Sequence, residues 1–562
     1  MRFTKNLLVA ALLLAFVCGL SASGQTDPRP AAKQLFEQER WSELAQLLQQ
    51  APRSSADLDY YYGIALAHLE RWAEAEKALS EGQRFAPRDK RFPIELAGVA
   101  FKQKKYGDAR RDLHRALRLD PKDEFGNEFL ATIYFLQGNL EAALKYWNRV
   151  GKPLVAEVPS EPGLKVRPAL LDHAFAFSLA STLTLDELLA SNVRLRGLEI
   201  FSAYKVNLEA RPDGRFDAGF RAQELNGFGN SKLQALVRIF SGALFEEITP
   251  EYYNLRGSGT NIISLFRLDT DKRRAVVAMN GPLAGNPKWR YRVGADFRNE
   301  NWMVQTSFTG PSTFLGATNL RRESVSAEIS RFVGARWTWT MGVELSRRDF
   351  RNAIPGVALT PDLLAKGYQM KQKAQFTYEL WRSPEKRLVI SSSGSSQAGR
   401  LWSQPGQSFE KLQATLGMHW FPREQGEDYE TQWRVHAGKT FGQIPFDELF
   451  MLGVDRDNDL PLRAHSGTRH GEKGSAPLGR NYFLSNWEND KHIYSNGILT
   501  VKLGPFLDTG KILDSSQTLG PHKWLFDIGP QAKLKVLGVG MVLLYGKYLR
   551  TGNNAFYTDV TW

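Results

Sequence analysis

Phe450-Met451-Leu452-Gly453, Pro461-Leu462-Arg463-Ala464-His465 and, downstream, Gly504-Pro505-Phe506-Leu507-Asp508-Thr509-Gly510 form the stretch on which the reading of this chain turns. Arg463 lies in a long polar segment, and Asp508 interrupts an otherwise apolar strand pattern. Taken singly, the arginine is an ordinary solvated loop residue and the aspartate an ordinary polar-face residue. Inside a β-barrel the two become a charge pair between a loop and the wall, so the surrounding sequence must first establish the barrel.

The 562 residues exceed one ordinary domain. With 42% hydrophobic and 24% charged residues and a mean hydropathy of −0.37, a bundle of transmembrane helices is excluded. A transmembrane β-barrel is not, because its strands alternate apolar and polar residues and average near neutral. From Phe228 onward period two dominates. Trp289, Tyr291, Val293, Ala295 and Phe297 alternate with polar or small residues, as do Trp337, Trp339, Met341, Val343 and Leu345, and again Leu412, Ala414, Leu416, Met418 and Trp420. A soluble sandwich would alternate in the same way. Three features favour the membrane barrel: an export signal, long strands with aromatics near their ends, and a terminus, Phe556 to Trp562, that alternates up to a final aromatic. Closure in lipid leaves no unpaired edge. At roughly 20 residues per strand and connection, residues 226–562 accommodate about sixteen antiparallel strands.

The export signal occupies residues 1–24. Arg2 and Lys5 precede the apolar run Leu7 to Leu20, and Ala22-Ser23-Gly24 offers a small-residue cleavage site. The run is too short to span a membrane. Cys18, the only cysteine, falls inside it; bulky Phe16 and Val17 argue against a lipoprotein signal. The mature chain therefore has neither disulfides nor a thiolate metal site. The formal charge of +13 would suit nucleic acid, but export argues against that partner, and basic residues facing anionic lipid or a polar lumen account for it.

Residues 31–152 carry helical periodicity under a longer period. Pro87 and Pro121 are 34 residues apart, and small residues recur in register: Gly63, Ala97 and Ala131, then Ala75, Ala109 and Ala143, with Leu79, Leu113 and Trp147 behind them. This unit resembles the tetratricopeptide repeat, an α-solenoid. The resemblance implies a concave groove for a protein or peptide; a rigid spacer is the alternative.

Residues 163–225 change character after Pro153, Pro159, Pro162 and Pro168. A strand-like start at Leu164–Val166 leads to a helix capped by Thr184, a second helical piece over Val193–Gly197, a strand from Ile200 to Leu208, a turn at Pro212-Asp213-Gly214 and a returning strand from Phe216. The order resembles a small α+β POTRA domain. That implies a periplasmic module ahead of an outer-membrane barrel, able to augment a client strand at its sheet edge; a structural adaptor is the alternative.

The motif order, Phe450-Met451-Leu452-Gly453, Pro461 to His465, Gly479 to Leu484, then Phe506-Leu507-Asp508-Thr509-Gly510, resembles the BamA/TamA superfamily of outer-membrane assembly proteins (bacterial surface antigen barrels) and their two-partner-secretion relatives. In that family a long extracellular loop folds into the lumen, and its tip arginine meets an aspartate of a phenylalanine-x-aspartate-x-glycine strand. The resemblance implies a loop anchor made of Arg463, Ala464, His465, Phe506, Asp508 and Gly510. Ala464 stands where the family has glycine and His465 where it has an aromatic. Alanine loses easy access to positive φ, so a different backbone path is expected at the tip. A weakly paired seam between first and last strands, at Gly229, Lys232 and Leu233 against Phe556, Val560 and Trp562, would open sideways to template a client strand.

No nucleophile–base pattern, phosphate loop or cofactor motif is present, and His465 and His470 share a loop without a third ligand, so neither an enzyme, a cofactor nor a metal site is expected. The implied function is insertion of proteins into the outer membrane or their translocation across it, with outer-membrane lipid around the barrel and client or accessory proteins on the periplasmic arm. The alternatives are a passive exopolysaccharide exporter, which also joins a tetratricopeptide arm to a barrel, and a barrel-anchored surface antigen.

Overall fold

The structure is a computed structural model that describes residues 27–50, 55–160, 163–227, 239, 242, 246–306, 312–354, 356, 359–403, 406–496, 499–514, 519–536 and 539–561. Residues 1–24, expected as an export signal, and Gly229, Lys232, Leu233 and Trp562 of the expected seam lie outside them. The chain divides into two compact units after Val150.

The first unit is helical: α1 (Arg29–Glu37), α2 (Trp41–Gln50), α3 (Ala56–His68), α4 (Trp72–Phe85), α5 (Arg91–Lys102), α6 (Tyr106–Leu119), α7 (Glu124–Leu136) and α8 (Leu140–Trp147). The starts of α4, α6 and α8 fall 34 residues apart. Side chains of Ser55, Asp123 and Asn139 cap α3, α7 and α8, accepting from otherwise orphaned backbone N–H groups. The small residues sit where helices cross. Ala75, Ala97, Ala109, Ala131 and Ala143 are fully buried, and a Cβ on Gly63 would lie 2.5 Å from Leu79 Cγ.

The second unit opens with β1 (Val155–Glu157), α9 (Pro168–Ala174), α10 (Leu185–Leu198), β2 (Phe201–Ala210) and β3 (Phe216–Glu224). The sheet order is β1-β3-β2, with β1 parallel to β3 and β2 antiparallel to it. Two details depart from the sequence reading. The first strand is Val155–Glu157, ahead of residue 163, whereas Leu164–Val166 forms no strand and the Val166 N–H donates to Glu224 Oε1 at 2.8 Å. The two helical pieces are one helix, because the Thr184–Glu187 capping box starts it and buried Leu188, Leu189, Leu195 and Leu198 carry one apolar face through it.

A large antiparallel sheet follows. Its first strands are β4 (Glu247–Ile248), β5 (Glu251–Tyr252), β6 (Asn261–Arg267), β7 (Lys272–Leu283), β8 (Asn286–Gln305), β9 (Phe314–Val333) and β10 (Trp337–Ile354). Then come β11 (Gly367–Ser383), β12 (Leu388–Trp402), β13 (Gln407–Trp420) and β14 (Tyr429–Gly442). Short strands β15 (Phe450–Met451), β16 (Thr468–Arg469), β17 (Glu472–Lys473) and β18 (Leu478–Gly479) belong to the segment that follows β14. The sheet resumes with β19 (Asn481–Ser495), β20 (Leu499–Ile512), β21 (Leu525–Val536), β22 (Val539–Tyr548) and β23 (Asn554–Thr561). Consecutive long strands pair antiparallel, and β14 pairs directly with β19, so residues 443–480 stand outside the wall. Counting β4 and β5, which both pair with β6, as one interrupted stave gives fifteen staves among the described residues. Among the described residues the pairing runs without a break from β6 to β14 and on through β19 to β23.

The polarity of this sheet is inverted relative to a soluble protein. Met341, Leu345, Val325, Phe297, Phe376, Trp337 and Phe556 are exposed on one face, while Arg348, Gln369, Lys371, Glu344, Asp508 and Asp527 are buried on the other. The hairpin between β7 and β8 turns at Ala284 and Gly285, both at positive φ as a tight two-residue turn demands. At that end of the wall Arg290 Nη1 donates to Glu199 Oε1 at 2.7 Å and Asn261 Nδ2 to the Leu198 carbonyl at 3.0 Å, which fixes α10 there. Residues 443–480 leave from the opposite end.

Candidate functional site

Residues 443–480 fold against the polar face of the wall. Their apolar residues make their own core: Leu452, Leu460, Leu462 and Phe450 pack with Tyr482, Leu484, Ile512 and Leu525 of β19–β21. Phe446, Leu449, Met451 and Ala476 pack with Trp302, Leu320, Phe350 and Phe409 of β8–β13. Burying these polar backbones and charges demands partners, and three ionic clamps supply them.

The first clamp holds the tip. Arg463 meets Asp508 through two parallel bonds, Nε to Oδ2 at 2.9 Å and Nη2 to Oδ1 at 2.7 Å, and its backbone N–H donates to Oδ2 at 2.9 Å. Arg463 Nη1 also donates to Glu488 Oε2 at 2.9 Å and to Gln531 Oε1 at 2.7 Å. The guanidinium lies 4.1 Å from the Phe506 ring centroid. Asn486 Nδ2 donates both to Asp508 Oδ1 and to the Pro461 carbonyl, each at 2.7 Å. Gly510 leaves room for the loop: a Cβ there would sit 3.3–3.4 Å from Leu484, Leu452 and Leu462.

Ala464 and His465 share one acceptor that sequence reasoning missed. The Ala464 N–H donates to Asp527 Oδ2 at 2.6 Å, and His465 Nδ1 lies 2.9 Å from the same oxygen. The His465 ring stands edge-on to Tyr548 at 4.9 Å. Ala464 is not among the residues at positive φ. Gly546 of β22 admits the tip, since a Cβ there would lie 2.4 Å from the Arg463 carbonyl oxygen and 2.8 Å from Ala464 Cα.

The second clamp centres on Asp447 and Glu448. Glu448 Oε1 accepts from Lys371 Nζ at 3.0 Å and from Arg348 Nη2 at 3.3 Å; Asp447 meets Arg322 at 3.0 Å and Arg348 at 2.8 Å. Arg322 also pairs with Glu344. Lys411 Nζ donates to the Glu448 carbonyl at 2.9 Å. The third clamp is Asp457, which accepts from Arg267 at 2.7 Å and Arg274 at 2.6 Å, beside a Lys473–Glu300 pair at 2.8 Å. Burial pushes both loop carboxyls up, but the surrounding cations hold them well below the usual carboxylate range: Lys371, Arg322, Arg348 and Lys411 around Glu448, and Lys473, Arg274 and Arg267 around Asp457. Between the second and third clamps lies a polar cavity of about 490 Å³ lined by Asp296, Arg298, Lys373, Gln413 and Asp459 among others. These acids and bases are single loop or strand residues in sequence, and nothing in their local pattern pairs them.

Phe556 of the expected seam is 70% exposed on β23; the side chain of Val560 lies outside the described residues. Among the described residues no group of three or more metal-ligating side chains is assembled, and no helix is long and apolar enough to cross a membrane.

No protein-family model and no curated protein matches the chain. Among solved structures it is similar to CdiB from Escherichia coli, at 12% identity over 73% of this chain and 76% of that one, with a TM-score of 0.47. It is similar to BamA from Haemophilus ducreyi lacking POTRA domains 1–3, at 11% identity over 73% and 84%, with a TM-score of 0.42. CdiB from Acinetobacter baumannii gives 10% identity over 75% and 81%, with a TM-score of 0.43. All three lie below a TM-score of 0.5, so the wall and its clamped loop, and not the likeness, carry the functional reading.

Proposed function

We propose that the chain is an outer-membrane β-barrel of the BamA/TamA kind that inserts proteins into the outer membrane or moves them across it. Its helical repeat and POTRA-like units would reach into the periplasm to hold clients or accessory proteins. The observation that carries this reading is the loop of residues 443–480, held on the polar face of the wall by Arg463 and Asp508 at 2.7 Å. A passive sugar exporter needs an open charged channel, whereas here clamped side chains and a packed apolar core occupy that face. The exposed apolar face suits lipid: contiguous apolar surface of this extent is not left to water in soluble monomers. The chemistry required is mechanical. A barrel whose terminal strands pair weakly offers strand edges to a client, and no covalent step is involved.

The test is depletion of the protein in its host followed by quantitative analysis of the outer-membrane and secreted fractions. The reading expects loss of specific barrel or secreted proteins. An unchanged protein profile with loss of extracellular polysaccharide would overturn it in favour of sugar export.

A further inference from the structure

We propose that His465 and Asp527 make the loop tip a proton-dependent latch, seated more firmly in acid than in alkali. Neighbouring residues of the tip meet aspartates on neighbouring strands. Arg463 binds Asp508 of β20, and His465 meets Asp527 of β21, its Nδ1 lying 2.9 Å from Oδ2. Asp508 and Asp527 are direct cross-strand partners, and both side chains are fully buried. Carboxylates set opposite each other on one face repel, so the pair demands two cations. Arg463 is one. His465, itself buried, is placed to be the second, because no lysine or arginine among the described residues lies within ion-pair distance of Asp527. The Ala464 N–H also donates to Asp527 Oδ2, at 2.6 Å, while Oδ1 is buried without a hydrogen-bond partner among those residues. The tip thus carries one permanent charge, on Arg463, and one that comes and goes with a proton, on His465.

The groups around the pair leave that second charge to His465. On β19 to β21 the carboxylates of Glu488 and Asp490 join those of Asp508 and Asp527, and the permanent cations among them are Arg463 and Lys533. Arg463 reaches Glu488 at 2.9 Å, and Lys533 reaches Glu488 and Asp490 at 2.6 and 2.7 Å, so neither is spare for Asp527. Tyr548 of β22 offers His465 a ring edge at 4.9 Å and no charge. Arg550, past the end of β22, is exposed and lies over the Phe526 ring at 5.9 Å. On the loop itself Asp455 accepts from Thr468 Oγ1 at 3.3 Å, and on β23 Tyr557 packs beside Val454. With the proton on His465, the seated tip therefore pairs two cations with two opposed carboxylates. With the proton off, a buried carboxylate is left without a cation. Release of the tip gives both groups to water and removes that difference. Seating is thus favoured in acid and weakens as pH rises through the range in which an imidazole changes charge, about pH 5 to 8. One proton limits the effect to about tenfold in the seating constant per pH unit.

The experiment is amide hydrogen exchange of the full chain in detergent, followed in peptides that cover the tip. Protection factors divide out the intrinsic pH dependence of exchange and report the seating equilibrium directly. In the wild type, protection of the tip should fall by roughly threefold to thirtyfold between about pH 6 and pH 8, inside the one-proton limit of about a hundredfold. Asp527→Asn removes the anion and reverses the sign: a buried imidazolium then lacks a partner, so protection should rise with pH over the same range. H465F/D527N carries neither titrating group and should be flat. A merely structural contact at this position would change the level of protection and not the sign of its slope. Heat-modifiable gel mobility identifies variants that have not folded, and the wild-type slope stands without them. Flat protection in the wild type, a fall that survives Asp527→Asn, or a fall of the same size in H465F/D527N would each overturn the proposal. A tip unprotected at every pH would mean that the loop is not seated against the wall, which overturns the clamp and the latch together.

Discussion

Removing Arg463 should cost more than removing Asp508, and the two losses should not add. The Asp508 side chain is fully buried, and in the absence of Arg463 its side-chain partner is the Asn486 amide at 2.7 Å. A buried carboxylate stripped of its cation costs about 3–5 kcal/mol. Arg463 in the absence of Asp508 keeps Glu488 and Gln531 at 2.9 and 2.7 Å, so Asp508→Ala should cost only about 2–3 kcal/mol, the loss of two charge-assisted bonds. The double variant removes both the orphaned charge and the orphaned donor, so the coupling should reach about 2–3 kcal/mol. The assay is equilibrium urea unfolding in phospholipid vesicles for wild type, both single variants and the double variant, with protease protection of the loop as a second readout. Additivity within about 0.5 kcal/mol, or a larger loss for Asp508→Ala than for Arg463→Ala, refutes the reasoning from partner inventory.

Glu448→Ala leaves buried Arg348 and Lys371 facing Asp447 and Glu344 alone; loss of about 2–4 kcal/mol and added conductance in planar bilayers are expected, and unchanged conductance in E448A/D457A would show that the second and third clamps do not hold the loop. Gly546→Val drives a side chain into the Arg463 carbonyl and should free the loop tip to protease at a cost of about 1–3 kcal/mol, with all three clamps otherwise chemically intact. Gly63→Ala meets Leu79 Cγ at 2.5 Å and should lower the helical unit's melting, followed at 222 nm, by about 1–3 kcal/mol while leaving the barrel transition unmoved. Burial raises the Glu95 carboxyl even though Tyr60 donates to it at 3.2 Å. A raised folded-state pKa penalises the ionised form, so the helical unit should gain stability as pH falls through that raised value toward the unfolded one. Glu95→Gln should therefore stabilise at pH 8 more than at pH 4, and an equal effect at both would refute the assignment.

The parts of this fold written in period and punctuation were legible. Helix starts 34 residues apart followed from Ala75, Ala109 and Ala143, because a small residue is required wherever two helix backbones approach. The long antiparallel strands followed from alternation, since each strand reports its own two faces. What the sequence hid was three-dimensional pairing. Val155-Ala156-Glu157 is too short to show a period and lies between Pro153 and Pro159, so the strand order alone reveals it. Glu448 and Asp457 resemble solvated loop acids, and Arg348, Lys371 and Arg274 resemble lumen-facing bases; nothing local couples residues separated by 77 to 183 positions. Asp527 was missed for the same reason, although His465, placed where an aromatic was expected, marked the site at which a new acceptor was needed.

The positions of the clamps constrain how such a barrel could open. Asp457 binds Arg267 of β6 and Arg274 of β7, near the first strands of the sheet. Six residues later Arg463 binds Asp508 of β20, and Ala464 binds Asp527 of β21, near the last strands. Six residues of chain therefore tie the two ends of the sheet together through buried charges. If client insertion proceeds by parting those ends, the strands cannot separate far before one clamp breaks, since six fully extended residues span at most about 20 Å. A disulfide introduced between the loop tip and β22, for example at His465 and Tyr548, whose rings stand 4.9 Å apart, would hold the tip clamp shut while leaving the terminal strands chemically free. Under the proposed function such a variant should insert clients poorly when oxidised and normally when reduced, and activity indifferent to that disulfide would mean the loop travels with one side of the wall and places no limit on opening.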